Sequence, residues 1–271
     1  MDFGKLFSLE GRVALITGGS RGIGKMLLEG FLAAGCARVY ITARKVSVVE
    51  ETAAEYDAQY PGRVIAIPGD ISQMDGIQQL ADAIAARESK LDILVNNAGA
   101  AWGAEFENFP EVGWDKVMDL NVKTPFFLTQ KLHPLLKAAA TFERPAKVIN
   151  IASIDGLRPN PWETYPYQAS KAGLIHLTKR MAARLIDDHI VVTGIAPGAY
   201  ASEMNKAARD AGDAVGKGIP SGRIGQAEDI AAGAIYLASR AGDYVVGTTI
   251  PIDGGIVNAS IDKDHLDPTG H

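Results

Sequence analysis

The sequence predicts a doubly wound α/β fold, in which about seven parallel strands form one sheet with helices on both faces. Short apolar runs alternate with helix-length stretches along all 271 residues. The runs are continuously apolar, which is typical of strands buried on both faces of a parallel sheet. No internal repeat or low-complexity linker interrupts the chain, so residues 1–271 are predicted to form a single domain.

The predicted strands are apolar runs bounded by turn-forming or charged residues. They lie within 12–17, 38–43, 63–70, 91–99, 147–153, 190–198 and 248–255. Helices are predicted at 23–34, 48–60, 78–87, 114–140, 167–187 and 227–240. Pro125 and Pro134 are expected to bend or interrupt the long helix over 114–140. The last helix has Glu228 and Asp229 in its first turn and Arg240 in its last, which complements the helix dipole.

Three stretches depart from this alternation. Residues 158–166 carry three prolines before the predicted helix at 167. Residues 199–225 are long for a βα connection and follow the end of a predicted strand, where ligands bind in open α/β sheets. They are predicted to form a substrate lid, with a surface insertion as the alternative. The tail, 256–271, contains His265 and His271; a solvated or inter-subunit segment is predicted there, and no metal site.

Composition and charge exclude some classes of protein. The only cysteine, Cys36, cannot form an internal disulfide and is predicted to be a small buried apolar residue, with a reactive thiol as the alternative. The net charge of -5, with both signs interspersed, argues against a nucleic-acid partner. The first residues lack the pattern of a secretory signal, and no apolar run is long enough to span a membrane. We therefore expect a cytoplasmic protein without a membrane partner.

A glycine-rich loop, TGGSRGIG at 17–24, joins the first predicted strand to the first helix. Glycines there permit a tight turn and close approach of a ligand to the backbone, and the helix N-terminus attracts a pyrophosphate. This position between strand and helix is the context expected of a dinucleotide site. The candidate cofactor contacts in the loop are Gly18, Ser20, Arg21, Gly22, Ile23 and Gly24.

The end of the second predicted strand indicates which cofactor is bound. An NAD site usually has an acidic residue there, but this chain reads Thr42-Ala43-Arg44-Lys45. Arg44, with Arg21, is predicted to bind a 2′-phosphate, so NADP(H) is the expected cofactor; two solvated arginines are the alternative. Asp70 is a candidate for the adenine amino group, with Ile71 against the ring, or alternatively a helix N-cap.

The motif YQASK places Tyr167 and Lys171 on one face of a helix. A free tyrosine has a pKa near 10, and a lysine charge about 4 Å away favours the phenolate by about 4 kcal/mol at an effective dielectric of about 20. Ser153 ends the fifth predicted strand, where its hydroxyl can hold a substrate oxygen. Asn121 lies within the long helix and is predicted to anchor a water near Lys171, or alternatively to be a surface amide.

These residues resemble the pattern of the short-chain dehydrogenase/reductase family. TGGSRGIG, NNAG at 96–99, Asn121, Ser153, YxxxK and PG at 197–198 follow in the family's order and spacing, from about residue 8 to 255. The resemblance implies a Rossmann-type fold, a nicotinamide cofactor, self-association as a homotetramer or homodimer, and a catalytic tetrad of Asn121, Ser153, Tyr167 and Lys171. It implies cofactor contacts from Tyr167, Lys171, Asn97, Ala98, Gly99, Pro197 and Gly198, with Ser202 in place of a threonine that binds the carboxamide.

Within the family, three stretches, SRGIG at 20–24, the region from NNAG to residue 122, and IPIDGG at 250–255, look closest to β-ketoacyl reductases, especially the type associated with rhamnolipid synthesis. The resemblance implies an oxidoreductase that reversibly reduces a ketone to a secondary alcohol, on a 3-oxoacyl or cyclic ketone substrate. Trp102, Trp162 and Met204 are predicted to join Ser153 and Tyr167 at the substrate, or alternatively to pack locally in loops. Asp155 is expected to face solvent. The rival interpretations are a non-catalytic NADP(H)-binding sensor and a nucleotide-sugar epimerase, which usually has a longer C-terminal substrate domain.

Overall fold

The computed structural model describes residues 1–260; residues 261–271, with His265 and His271 of the predicted tail, lie outside the described residues. Seven strands form one parallel sheet in the order β3-β2-β1-β4-β5-β6-β7. They are β1 (Val13–Thr17), β2 (Arg38–Thr42), β3 (Val64–Ala66), β4 (Ile93–Asn96), β5 (Ala146–Ile151), β6 (Ile190–Pro197) and β7 (Thr249–Ile252). The predicted doubly wound, Rossmann-type fold is therefore confirmed.

The connections between strands are mainly helical. The α-helices are α1 (Phe3–Phe7), α2 (Gly22–Ala33), α3 (Val46–Asp57), α4 (Met74–Ala85), α5 (Glu111–Met118), α6 (Thr124–Ala139), α7 (Tyr165–Leu185), α8 (Lys206–Asp210), α9 (Gly212–Gly216) and α10 (Ala227–Ala238). Short 3-10 turns occupy Phe106–Asn108, Ile154–Gly156, Ile186–Asp188 and Arg240–Gly242. Within residues 1–260 we find no helix that combines the length and the apolar character needed to cross a bilayer.

Two apolar layers cover the sheet, one on each face. Phe31 of α2 and Leu237 of α10 belong to the first layer. Ile84 of α4, Leu132 of α6 and Met181 of α7 belong to the second. The strands β1, β4, β5 and β6 are buried along their whole length, which accounts for their continuously apolar sequences. The predicted burial of Cys36 is confirmed, and burial raises the pKa of its thiol to about 12, which keeps it unreactive.

The long helical stretch predicted over 114–140 is present, and it is interrupted by one irregular turn. The structure has α5, then a π-helical turn at Asp119–Lys123, then α6. Pro125 lies in the first turn of α6, directly after the π turn, so the helical path is irregular beside this proline. Pro134 lies inside α6 without ending it. The π turn contains Asn121 and is the local irregularity that the periodicity of the sequence did not indicate.

The predicted lid, 199–225, contains the short helices α8 and α9. Its two ends lie side by side, and we call this part the base of the lid. Tyr200 and Gly225 form a β-bridge, and a Cβ on Gly225 would stand 2.3 Å from the Tyr200 ring. Only glycine therefore allows this ring to pack across the base. The Tyr200 hydroxyl donates to the carbonyl oxygen of Ile252 at 3.3 Å, which ties the base to the end of β7.

Candidate active site

The glycine-rich loop between β1 and α2 needs its glycines for two different reasons. Gly18 and Gly22 have φ angles of 65° and 51°, which L side chains rarely adopt. A Cβ on Gly24 would stand 2.1 Å from the carbonyl oxygen of Gly18. The first turn of α2 can therefore lie directly against the loop.

The N-terminus of α2 points its first backbone N–H groups toward this loop. Its N-cap is Arg21, which makes no side-chain capping hydrogen bond. Uncapped N–H groups and the positive end of the helix dipole together attract an anion. The glycine-lined loop and this helix end fit the pyrophosphate of a dinucleotide.

Thr17 and Asn97 fasten the glycine loop to the end of β4. The Thr17 hydroxyl accepts hydrogen bonds from the N–H groups of Asn97 and Ala98, each at 2.9 Å. The Asn97 side-chain amide donates to the carbonyl oxygens of Thr17 and Gly18, at 2.8 and 3.2 Å. Asn97 and Ala98 thus lie beside the loop as predicted, and the Asn97 amide holds the loop itself. Sequence reasoning missed Thr17, whose only indication was a hydroxyl directly before Gly18.

The residues predicted for the adenosine half of the cofactor lie in the glycine loop after β1 and past the ends of β2 and β3. Arg21 and Arg44 are both exposed. Asp70 accepts a hydrogen bond from the Ser72 N–H at 3.0 Å, and α4 begins only at Met74, so the alternative of Asp70 as its N-cap is wrong. Ile71 is buried in the core, so little of its side chain is open to an adenine ring. The adenine contacts stay a prediction.

Tyr167 and Lys171 lie one turn apart on α7, as their spacing predicts. The Lys171 ammonium stands 5.6 Å from the centre of the Tyr167 ring. It also donates a hydrogen bond to the carbonyl oxygen of Ile151 at the end of β5, at 2.8 Å. Lys171 is buried and Tyr167 is half-buried. The hydrogen bond fixes the ammonium between the sheet and the phenol.

Burial dominates the electrostatics of this pair. Burial raises the pKa of Tyr167 to about 12; the Ser153 hydroxyl lowers it, and the charge of Asp155 raises it. Burial likewise lowers the pKa of Lys171 to about 8, against the charge of Asp155, which raises it. The phenolate expected from Lys171 alone is therefore not favoured in the protein without cofactor. Asp155 is half-buried and acts on both groups, so it does not simply face solvent as predicted.

Ser153 follows β5 and caps the 3-10 turn at Ile154–Gly156, where its hydroxyl accepts from the Asp155 N–H at 3.1 Å. This turn packs on α7 because Gly156 has no side chain: a Cβ there would stand 2.5 Å from the backbone carbonyl carbon of Lys171. The close packing brings Ser153 to Tyr167. Sequence reasoning missed Gly156, since its requirement arises from a helix that begins later in the chain.

Asn121 is 1% exposed, so its alternative interpretation as a surface amide is wrong. Its side-chain oxygen accepts from the Ala100 N–H at 2.8 Å, and its nitrogen donates to the Ala100 carbonyl oxygen at 2.9 Å. The same nitrogen donates to the Ser170 hydroxyl at 3.0 Å, and that hydroxyl donates to the Tyr167 carbonyl oxygen at 2.8 Å. Asn121 thus links the loop after β4 to α7. Sequence reasoning missed Ser170.

The remaining predicted cofactor residues lie near the tetrad, at the end of β6 or beside the glycine loop. A Cβ on Gly99 would stand 3.3 Å from the Asn121 side-chain oxygen and 3.7 Å from the Lys171 ammonium. Pro197 ends β6, and the Gly198 N–H donates to the Ile252 carbonyl oxygen at 3.0 Å. A Cβ on Gly22 would stand 3.2 Å from the Ser202 Cβ, so the lid begins beside the glycine loop.

The three predicted substrate residues differ in their surroundings. Trp102 is half-buried against α5, where a Cβ on Gly113 would stand 2.7 Å from the indole, and the Lys116 ammonium lies 5.0 Å from the ring centre. This is the local packing that the alternative interpretation described. Trp162 is 70% exposed and Met204 is 54% exposed, one in the segment after β5 and the other in the lid. Both have apolar surface available to a ligand.

All these groups meet where the order of the strands reverses. β1 has β2 on one side and β4 on the other, so a crevice opens past their carboxyl ends. The glycine loop lies on one side of this crevice, and the four residues of the tetrad lie past β4 and β5. A phenol, a hydroxyl and an ammonium here can exchange a proton with a carbonyl or hydroxyl oxygen of a bound molecule.

The chain matches known proteins over nearly its whole length. The family model of short chain dehydrogenases matches residues 12–213. A Pseudomonas aeruginosa rhamnolipids biosynthesis 3-oxoacyl-[acyl-carrier-protein] reductase is 48% identical, over 92% of this chain and 97% of the relative. The solved active-site complex of P. aeruginosa RhlG with NADP has a TM-score of 0.88 at 47% identity, covering 93% of this chain and 98% of that one. A Burkholderia cenocepacia gluconate 5-dehydrogenase solved with NADP and tartrate has a TM-score of 0.86 at 32% identity, covering 96% and 100%.

The fold and the site together define a dinucleotide-dependent oxidoreductase, and this chain belongs to the short-chain dehydrogenase family. The similarity to reductases of the rhamnolipid-synthesis type, predicted from SRGIG, the region after NNAG and IPIDGG, is confirmed as a similarity. The rival interpretation of a nucleotide-sugar epimerase has no support among these relatives.

Proposed function

We propose that this protein is an NADP(H)-dependent ketoreductase, which reversibly converts a ketone into a secondary alcohol. The observation that carries the proposal is the meeting of Ser153, Tyr167 and Lys171 beside a glycine loop suited to a dinucleotide. The bound cofactor supplies the hydride, and the protein supplies position, charge and the proton.

Each residue of the tetrad has a distinct task in this mechanism. Tyr167 donates its phenolic proton to the substrate oxygen during reduction, and the tyrosinate removes the alcohol proton in the reverse direction. Ser153 donates a hydrogen bond to the same oxygen as negative charge develops there. Lys171 stabilises the tyrosinate and is the candidate to bond the nicotinamide ribose. Asn121 positions the chain around Ala100 and anchors a water that links Lys171 to solvent.

Two arginines support NADP(H) as the cofactor. Arg21 and Arg44 are exposed at the loop and past β2, and no carboxylate follows Thr42 to repel a 2′-phosphate. Two relatives have been solved in complex with NADP. We expect Arg44→Ala to raise the KM for NADPH about tenfold or more and to leave the KM for NADH within about twofold, since an Arg–phosphate contact is lost. Steady-state absorbance kinetics with each cofactor measure this.

The matched control is Arg240→Ala, in the exposed first position of the 3-10 turn that follows α10, which we expect to change neither the KM for NADPH nor the KM for NADH. Equal catalytic efficiency with NADPH and NADH in the wild type, unchanged in Arg44→Ala, would remove the 2′-phosphate role. The other proposed cofactor contacts come from Asp70, Ile71 and Ser202. They are tested by measuring the KM for NADPH and the KM for NADH in variants of these residues.

The substrate is proposed to be a 3-oxoacyl compound or a cyclic ketone. Exposed Trp162 and Met204 support an apolar substrate, and one relative is named a 3-oxoacyl reductase. The test is NADPH oxidation with 3-oxoacyl thioesters, bicyclic ketones, steroid ketones and small diketones. Turnover on one class supports the proposal. NADPH binding with no turnover on any of them would favour the non-catalytic sensor.

The lid, 199–225, is proposed to cover the crevice after the substrate binds. Its base is held by Tyr200 and Gly225, and Ser202 begins the lid beside Gly22, so the part between them lies next to the cofactor loop. Protection of backbone amides in 201–216 from hydrogen exchange upon addition of NADPH and substrate tests this. Unchanged exchange would support the surface insertion instead.

Self-association as a homotetramer or homodimer is proposed from an apolar face on α5, the π turn and α6. Trp114 and Phe126 are exposed there, beside a groove lined by Val122, Phe127 and Leu177. We expect Phe126→Asp to lower the molar mass measured by light scattering to that of a smaller species. Phe142→Asp, on an exposed aromatic beyond α6, is the control and should leave the mass unchanged. A monomeric wild type would contradict the proposal.

The cytoplasmic location and the lack of nucleic-acid or membrane partners stay predictions.

A further inference from the structure

Gln168, the residue directly after Tyr167 on α7, holds the proline-rich segment before the helix. Its side-chain nitrogen donates to the Asn160 side-chain oxygen and to the Trp162 carbonyl oxygen, both at 3.1 Å. Its side-chain oxygen accepts from the Asn160 N–H at 3.3 Å. The Gln168 side-chain amide therefore makes three hydrogen bonds to residues 158–164, which we call the 158–164 segment.

The 158–164 segment depends on such side-chain bonds. Pro159 and Pro161 have no N–H to donate, so regular backbone pairing is not open to them. The Trp162 N–H donates to the Asn160 side-chain oxygen at 2.8 Å, and the Thr164 N–H donates to the Trp162 carbonyl oxygen at 2.8 Å. The backbone N–H and the side-chain oxygen of Asn160, together with the backbone of Trp162, thus belong to one hydrogen-bond network. Gln168 connects this network to α7.

Two more hydrogen bonds join the 158–164 segment to other parts of the chain. The Ala104 N–H donates to the Glu163 carbonyl oxygen at 3.2 Å, which joins the segment to the loop after β4. The Arg158 guanidinium donates to the Ile256 carbonyl oxygen at 2.8 Å, which joins it to the chain after β7. The segment is therefore tied both to the loop after β4 and to the chain after β7, and Trp162 is its large exposed apolar side chain.

The neighbouring side chains are aromatic and acidic. Phe106 and Phe109 pack edge-on against Tyr165, with ring centres 5.6 and 5.9 Å apart. The Tyr165 hydroxyl donates to the Glu163 carboxylate at 3.1 Å, and Glu107 also lies close enough to raise the pKa of Tyr165. Within the described part of the chain, neither carboxylate has a salt-bridge partner. Such surroundings favour an uncharged apolar group over an anionic one.

We infer that Gln168 is a positioning residue that determines substrate specificity. It fixes the backbone of the 158–164 segment one residue from Tyr167, so that the exposed Trp162 indole stands on an ordered segment and forms a wall for the apolar part of an uncharged ketone. A wall that is already ordered binds without the cost of ordering it. The inference rests on the proposed ketoreductase function, whose failure is distinguishable in the experiment below.

The experiment compares two neutral 3-oxo esters that differ in size, ethyl acetoacetate and ethyl benzoylacetate, with NADPH. We expect Gln168→Ala to raise the KM for ethyl benzoylacetate about tenfold, equivalent to about 1.4 kcal/mol, and to leave its kcat within about twofold. Both constants for ethyl acetoacetate should stay within about twofold. Asn160→Ala, which breaks the same network from the other side, should have the same effect. The control is Gln78→Ala, on a glutamine of α4 whose side chain donates to Asp82. It should change neither KM nor kcat for either ester.

A double-mutant cycle tests whether Gln168 acts through Trp162. Trp162→Ala should raise the KM for ethyl benzoylacetate as well, and the double variant should be no worse than Trp162→Ala alone, because the wall is then already absent. Additive losses would show that Gln168 acts independently of the indole and would overturn the inference. A loss of kcat with both esters would also overturn it, since that is the result expected if Gln168 only supports Tyr167.

Ligand-observed NMR of ethyl benzoylacetate with the protein loaded with oxidised NADP, which has no hydride to give to a ketone, reports binding without turnover. Weaker binding to Gln168→Ala than to the wild type supports the inference even if no ester is reduced, in which case only the proposed function fails. Normal reduction by the wild type with equal binding and KM in Gln168→Ala leaves the proposed function standing and overturns the inference.

Discussion

Tyr167→Phe is expected to lower kcat for ketone reduction by about two to four orders of magnitude, because it removes the proton donor and leaves the ring in place. NADPH binding and thermal unfolding should stay close to those of the wild type, since the aromatic ring is kept and Lys171 retains its hydrogen bond to the carbonyl oxygen of Ile151. Single-turnover absorbance kinetics, fluorescence titration of NADPH and thermal unfolding followed by circular dichroism measure these three properties. Tyr244→Phe, on a fully exposed side chain before β7, is the control and should leave kcat within about twofold.

The pH dependence of the wild type provides a second check on this assignment. Alcohol oxidation needs the tyrosinate, and burial raises the pKa of Tyr167 to about 12. The fraction of tyrosinate therefore increases with pH throughout the range below that value, and kcat for oxidation should rise with it. A positive charge from the oxidised nicotinamide shifts the rise to lower pH without changing its direction. Turnover retained in Tyr167→Phe, or oxidation that falls with pH, would remove Tyr167 from the role.

Asp92→Ala is expected to lower the free energy of unfolding by about 3 to 5 kcal/mol, because it leaves a buried cation without its partner. The Asp92 carboxylate is 0% exposed and accepts from the Arg12 guanidinium at 3.3 Å and from the Val13 N–H at 2.9 Å. Arg12 is also buried, and burial lowers its pKa while Asp92 raises it. Urea unfolding at a fixed protein concentration measures the change.

A matched pair separates the buried ion pair from a general effect of charge. Glu55→Ala removes the partner of Lys25 in an ion pair on the surface, at 2.9 Å, and should cost less than about 1 kcal/mol. Arg12→Met combined with Asp92→Ala should recover part of the loss, since no buried charge remains unpaired. If Asp92→Ala and Glu55→Ala have equal effects, Arg12 is solvated in the folded state and the argument from burial is wrong.

The positions of the strands and the helical face of Tyr167 and Lys171 depend on local patterns, and these were predictable, although β3, β4 and β7 are shorter than their apolar runs. A strand buried on both faces must be apolar throughout, so β1, β4, β5 and β6 stand out in the sequence without knowledge of their neighbours. The spacing of Tyr167 and Lys171 fixes their relation once α7 is a helix. The glycine loop is likewise a local feature between one strand and one helix.

Other features depend on residues far apart in the chain, and no local pattern encodes them. The π turn that contains Asn121 is held by Ala100 and Ser170, twenty-one residues before it and forty-nine after it. Burial makes the pKa of Tyr167 rise where the lysine charge alone predicted a fall.

The sequence by itself determined the fold class, the family and the identity of the candidate catalytic residues, because these follow from periodicity and from motifs of fixed spacing. Only the tertiary structure decided how those residues are held. Thr17 with Asn97, Gly156 against Lys171 and Gln168 against the 158–164 segment are contacts between separate elements. Their physical basis is close packing and hydrogen bonding across space, which exist only after the sheet has brought the carboxyl ends of its strands together.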